Sequence, residues 1–227
     1  MTAHPTPDTT RAALLGAALP HVTFDGWGED TFQAACRDAG IDVTQARIAC
    51  PRGAADLAAE YHRRGDRALA DWLATTDLSH LRFRDRVAAA VRHRLEIVDP
   101  EIVRRGAALL SLPHLAPLGL QLVWDTADTI WTGLGDTSRD ANWYSKRAIL
   151  GTVYTATSVF WMGDDSPGKR DSWDFLDRRI DGVMRFEKTK KQIRDSAVLS
   201  TIFAGPIWLA GQIRAPEPRR APGKVAR

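Results

Sequence analysis

Apolar residues in this chain recur at intervals of three and four, and nowhere do they alternate. That feature excludes most architectures. A half-buried strand needs a β-branched or aromatic side chain at every second position, whereas a helix with one buried face needs the wider spacing. The pattern is clearest from Phe83 to Val98, where Val87, Val91, Leu95 and Val98 share one side and Arg84, Arg86, Arg92 and Arg94 lie elsewhere. The chain is predicted to be all-α, with roughly nine or ten helices. At 227 residues, 44% of them hydrophobic, it can build one domain, or a small head on a larger body.

Charge narrows the partners. Lys and Arg number 31 against 28 Asp and Glu, a formal net charge of +3. A surface so balanced gives no argument for nucleic acid. Cys36 and Cys50 lack metal-ligand spacing and read as reduced, partly buried thiols of an intracellular protein. The first fifteen residues hold a single Arg and no long apolar run, a pattern unlike a secretory signal or an Arg-rich transit peptide. A bacterial cytoplasm is the expected location.

Met1 to Thr9, with Pro5 and Pro7, reads as a flexible leader. Helical patterns follow over Arg11–Val22, about Glu29–Ala39, and Thr44–Cys50, the last two separated by a turn at Gly40. Three short helices with a glycine turn before the third form a helix-turn-helix pattern. The arrangement resembles the N-terminal head of the TetR family of regulators, whose third helix enters the major groove. That family's third helix carries a Lys at its start and a Tyr-x-Tyr-Phe run at its end. Here Val43 stands for the Lys, and Arg47, Ala49 and Cys50 stand for the aromatics. Arg47 alone could reach a phosphate or base edge, and one Arg supplies neither affinity nor specificity for DNA. The head, residues 10–52, is therefore expected to be a structural remnant that binds no nucleic acid.

Further helices are read at Ala54–Arg64 and Arg67–Thr75, split at Gly65, then Phe83–Val98, Pro100–Leu112 and Leu118–Trp131. His93 lies beside the Arg-rich face of its helix and reads as solvated. His114, between Pro113 and Pro117, reads as a loop histidine that could also border a pocket mouth. The six His are scattered, with no Glu or Cys at metal spacing. Gly133-Leu-Gly135 follows no strand and lacks the third glycine of a dinucleotide loop. With no nucleophile in a recognisable setting, neither an enzyme nor a cofactor is expected.

The densest stretch runs from Asp136 to Leu176. Asn142 is the expected N-cap of a helix over Trp143–Met162, with Asp140 adding favourable negative charge at its start. Ile149, Val153, Ala156 and Phe160 share one face, while Tyr144, Arg147, Gly151, Thr155 and Ser158 share the opposite one. An exposed Tyr beside Trp143 suits a protein interface, and packing of both rings on a neighbouring loop is the alternative. A further helix starts near Asp171, with Trp173, Leu176, Ile180 and Val183 at core spacing and its carboxylates facing water.

The run Gly135-Asp-Thr-Ser-Arg-Asp-Ala-Asn-Trp-Tyr-Ser-Lys-Arg-Ala-Ile-Leu resembles the signature of the coenzyme Q (ubiquinone) biosynthesis accessory family. Leu112-Pro-His114, Asp165-Ser-Pro and Trp173-Asp-Phe-Leu-Asp-Arg-Arg-Ile add to the likeness, which extends from Arg11 to about Lys191. The resemblance implies a TetR-like homodimer that holds an isoprenoid quinone lipid in its body. It further implies presentation of that lipid to the di-iron hydroxylase acting late in the pathway, with Trp143 and Tyr144 as the docking pair. Asp140, Asn142, Trp143, Tyr144 and Arg147 are the docking candidates. Periodicity alone offers Leu112, Leu115, Leu118, Val123, Ala127, Ile130, Tyr154 and Val183 as pocket-lining candidates in a body of residues 53–187. The start of the chain lacks the mitochondrial leader of eukaryotic members, which fits a bacterial member.

Residues 188–214 join a basic cluster, with Lys190, Lys191 and Arg194, to an apolar run containing Ile202, Phe203, Ile207, Trp208 and Leu209. That combination suits a segment lying peripherally on a membrane, here the bacterial inner membrane, and the resemblance implies the same. Burial in the dimer interface or over the pocket is the alternative. Residues 215–227, rich in Pro and Arg, read as a disordered basic tail. Two functions thus stand: a non-catalytic lipid-binding accessory protein, or a ligand-responsive TetR-type regulator of transcription.

Overall fold

A computed structural model describes residues 6–194, with side chains through Val183. Nine α-helices and one 3-10 turn make up the described residues, with no strand among them. The all-α expectation holds.

The first helix, α1 (Pro7–Asp25), starts inside the expected leader. Thr6 caps it by accepting a hydrogen bond from the Thr9 amide, and Pro7 occupies the first turn, where its missing N–H costs nothing. Residues 1–5, the rest of that leader, lie outside the described part. Helix α2 (Glu29–Ala39) stops at Gly40, whose φ of 64° lets the Gly40 and Ile41 amides return to the Arg37 and Cys36 carbonyls. Helix α3 (Val43–Ala49) is capped by Asp42, which accepts from the Thr44 amide at 2.8 Å. Leu14, Ala18, Val22, Phe32, Ala46 and Cys50 close a small core among these helices, and both cysteines are free and buried. Leu57 and Ala58 of α4 (Ala54–Thr75) and Ile102 of α6 (Pro100–Leu110) complete it, so the apolar core crosses the turn at Gly53.

Helix α4 is continuous through Gly65, where two helices were expected. Glycine is unfavourable in a helix interior but need not end it. Its role here is room, because a Cβ at Gly65 would lie 2.5 Å from Arg94 Cζ. Arg94 sits on α5 (Phe83–Glu96) and is 1% exposed, not solvated with its neighbouring arginines. Helices α7 (Ala116–Gly133), α8 (Ala141–Met162) and α9 (Arg170–Arg194) complete the body. Leu69, Val91, Ala127, Ile130, Leu150, Tyr154, Trp161 and Leu176 form the second and larger core.

Two local assignments change. The cap of α8 is Asp140, which accepts from the Asn142 amide at 3.0 Å, so Asn142 lies inside the helix it was expected to cap. Not all carboxylates of the central stretch face water. Asp136 and Asp164 are buried, the latter accepting from the Ser172 amide and hydroxyl.

Candidate functional site: a helical cavity and an aromatic corner

Helices α4 to α8, with Trp27 beside them, leave a largely apolar cavity of about 380 Å³ in the body. Packed interiors rarely contain voids much larger than a water, so space on this scale could admit a small molecule. Val98, Ile102, Val103, Leu110, Leu122 and Val123 supply apolar wall. Leu120 and Val159 line the cavity while remaining 72% and 62% exposed, and these two mark its mouth.

The deep wall is different in kind. His62, Arg94 and Tyr154 line it together. Behind them Arg94 Nε donates to Asp66 Oδ1 at 2.8 Å, and Arg94 Nη2 donates to the His62 carbonyl at 2.8 Å. Thr126 Oγ1 donates to the same Asp66 oxygen at 2.8 Å and lies 2.8 Å from His62 Nε2. The other carboxylate oxygen, Asp66 Oδ2, is buried without a hydrogen-bond partner, 3.6 Å from His62 Nε2. Burial pushes the His62 pKa down to about 4 despite the nearby Asp66 charge, so the ring is neutral near pH 7. Burial likewise pushes the Tyr154 hydroxyl up, keeping it protonated.

Of the eight residues proposed from periodicity, Val123 and Tyr154 line this cavity. Ala127 and Ile130 point into the solid core, and Leu115 and Leu118 are buried away from the space. Leu112 is exposed on the turn after α6, and His114 beside it is also exposed and off the wall. Val183 instead lines a second hollow, of about 190 Å³, with Phe83, Trp131, Asn142, Lys146 and Leu150. A face can be read from spacing, but what the face meets cannot. Sequence reasoning missed His62, which figures there only among the scattered histidines, and Arg94, which lies off the apolar side of its helix. A signal was present in the His62–Asp66 pair, one helical turn apart around Gly65.

The second feature lies at the start of α8. Trp143 and Tyr144 meet edge-on with ring centroids 4.8 Å apart, and Trp124 of α7 approaches them at 5.7 and 6.2 Å. Tyr144 is 37% exposed and Trp143 half-buried. Asp140 and Asn142 are exposed, while Arg147 is 2% exposed. Its expected place on the open face is corrected: the chain before α8 folds back over it. Its guanidinium lies 4.0 Å from the centre of the Trp143 ring and donates to Asp128 at 2.6 Å, Asp136 at 3.1 Å and the Trp143 carbonyl at 3.1 Å. Burial raises the Asp136 pKa, but hydrogen bonds from Lys146, Ser138 and Arg147 outweigh it and hold the group at about 2. Arg147 therefore supports the corner from beneath.

In the head, Arg47 is no more available. It donates to Glu29 at 2.5 Å and its guanidinium lies 4.5 Å from the centre of the Phe32 ring. The exposed large hydrophobic side chains of α3 are Val43 and Ile48, which neutralise no phosphate. His93 stacks on Trp72 at 4.2 Å and is not fully solvated. Lys190, Lys191 and Arg194 fall on α9 beyond the described side chains, and Ile202, Phe203, Ile207, Trp208 and Leu209 lie outside the described residues altogether. None of the described helices is long and apolar enough to cross a membrane.

An all-helical body with a small three-helix head and an internal cavity defines a protein of TetR-like fold. A TetR transcriptional regulator from Nitrosomonas europaea superposes with a TM-score of 0.61, at 17% identity, over 75% of this chain and 95% of that one. The sequence relationship is more particular. Residues 116–187 match the COQ9 family model. The mitochondrial ubiquinone biosynthesis protein COQ9 of human is 29% identical over 81% of this chain and 60% of its own length. Its counterpart in Drosophila melanogaster is 31% identical over 82% and 58%. The chain is thus related to the COQ9 proteins, and it spans from 34% to 65% of the length of the curated relatives it matches. The expected bacterial cytoplasmic location is overturned, because the named relatives are mitochondrial proteins.

Proposed function

We propose that this chain is a non-catalytic accessory protein of ubiquinone biosynthesis that holds a polyprenylated quinone intermediate and presents it to a partner enzyme. The carrying observation is the largely apolar cavity of about 380 Å³, with His62, Arg94 and Tyr154 together on its deep wall. Such a shape suits an amphiphile with a ring at one end and an apolar tail at the other. Removing the tail's apolar surface from water favours such binding by about 25 cal/mol per Å². The names of the COQ9 relatives supply the pathway. A tail longer than the cavity would leave between Leu120 and Val159.

In this reading the partner is the di-iron hydroxylase of the pathway. It would dock on the corner of Asp140, Asn142, Trp143 and Tyr144, where exposed aromatics held by a buried cation resemble the anchors of protein interfaces. Residues 188–214 would rest on a membrane surface and the chain would pair as a homodimer. The alternative of a DNA-binding regulator is disfavoured by the engagement of Arg47 with Glu29 and Phe32.

The test is extraction of the purified protein with organic solvent and mass spectrometry of the extract. An isoprenoid quinone or its precursor, near one per chain, is the expected result. A protein free of isoprenoid lipid that retards a promoter fragment at moderate salt would reverse the choice.

A further inference from the structure

The deep wall of the cavity is built more elaborately than lipid storage requires. Four buried polar side chains, Asp66, Arg94, Thr126 and Tyr154, surround or back the half-buried His62. Only His62, Arg94 and Tyr154 of this group reach the cavity itself. Burying such a cluster costs several kcal/mol unless each member is paired, and an apolar wall would avoid that cost. Its retention beside an apolar space points to recognition of a ligand's polar end.

The charges decide which kind of end. Arg94 is the cation of the wall, but its Nε and Nη2 are committed to Asp66 and the His62 carbonyl. Asp66 balances its charge at 2.8 Å, so the pair carries no net charge with which to hold an anion. His62 Nε2 is within 2.8 Å of Thr126 and 3.6 Å of Asp66, and in the neutral ring each nitrogen has one role, donor or acceptor. A carboxylate or phosphate placed against this wall would meet an arginine already matched by Asp66 and would be an uncompensated anion in an apolar space. A neutral hydroxyl or carbonyl on an aromatic ring would meet hydrogen-bonding partners and an edge-on pair of rings, His62 and Tyr154, at 6.4 Å.

We propose that His62, held by Asp66, Thr126 and Arg94, reads a neutral hydrogen-bonding ring at the closed end of the cavity and rejects anionic head groups of the same tail length. This inference rests on the lipid-binding reading above and adds a selection rule to it. His62 and Tyr154 would touch the ligand, whereas Asp66, Thr126 and Arg94 are positioning residues.

Displacement of neutral Nile red from the intact protein tests it. The competitors share one farnesyl tail and differ at the head: a farnesylated hydroquinone, farnesoic acid and farnesyl phosphate. The wild-type protein should release the dye at least tenfold more readily with the hydroquinone than with either anion at pH 7.5. His62→Phe, checked for an unchanged helical signal, should reduce that preference to about twofold, and His62→Gln should restore part of it. If His62→Phe does not fold, the wild-type ranking alone decides. Equal or tighter binding of an anion overturns the selection rule and leaves lipid binding intact. Selection that survives His62→Phe unchanged overturns the role of His62. Failure of every farnesyl compound to displace the dye removes the lipid-binding reading and this inference with it.

Discussion

Arg94 and Arg147 are the two buried arginines among the described residues, and they do opposite things with the same chemistry. Each is matched by a carboxylate within 2.8 Å, as a buried cation must be. Arg94 draws Asp66, Thr126 and His62 into a wall that faces inward, onto an apolar cavity. Arg147 lies against the Trp143 ring and braces a corner whose aromatic side chains face outward. One buried ion pair thus gives a polar end to an internal space, and the other gives stiffness to a surface. In the proposed reading, ligand selection falls to the first region and partner docking to the second.

Removing each cation should separate them by size of effect. Arg94→Ala leaves Asp66 charged, buried and unpaired, and should cost about 3–5 kcal/mol of unfolding free energy, measured by urea titration. A loss under about 1 kcal/mol would mean that water reaches Asp66.

The two regions should also fail at different pH. His62 is neutral in the fold until pH about 4 but protonates near 6.5 when unfolded. The unfolded chain binds more protons between those values, so stability should fall by roughly 3 kcal/mol as pH drops from about 6.5 to 4. Asp136, held at about 2 against an ordinary value near 3.8, adds stability above pH 4 that is lost as pH falls through 2. His62→Phe should flatten the upper window alone and Asp136→Asn the lower one, in thermal melts across the range. An upper window unaffected by His62→Phe would place its cause elsewhere.

Arg147→Ala should cost roughly 2 kcal/mol, less than Arg94→Ala. Lys146 remains 2.8 Å from Asp136, and Asp128 is half exposed to water. The smallest stability effect belongs to Trp143→Ala with Tyr144→Ala, about 1 kcal/mol or less, with the helical signal intact and binding to the hydroxylase weakened at least tenfold. Loss of the fold would return both rings to the core.

Much of the fold was readable because helices carry local signals. The spacing of Val87, Val91 and Leu95, the glycine turn at Gly40, and the acidic residues before α8 are each set by neighbours in sequence. The cavity was harder to read, because it is a relation between five helices and spacing describes one. Ala127 and Ile130 carry the same periodic mark as Val123, yet only Val123 meets open space. Buried charge was the other blind spot. Arg94 and Arg147 occupy positions that look solvated on a helical wheel, and only the opposing glycine at Gly65 and the folded-back Asp136 make them internal. The Trp143–Tyr144 corner was legible as a feature, but Trp124, its third ring, comes from another helix.

The central claim is that the cavity, not the surface, takes the lipid. Thr155 is exposed yet lines the cavity on α8, so Thr155→Trp can obstruct the space from the mouth side with little demand on the core. Titration of both proteins with the farnesylated hydroquinone, followed by native mass spectrometry, should give one ligand per wild-type chain and a loss of at least tenfold in affinity for Thr155→Trp. Equal binding by the two proteins at matched fold and stability would contradict the account.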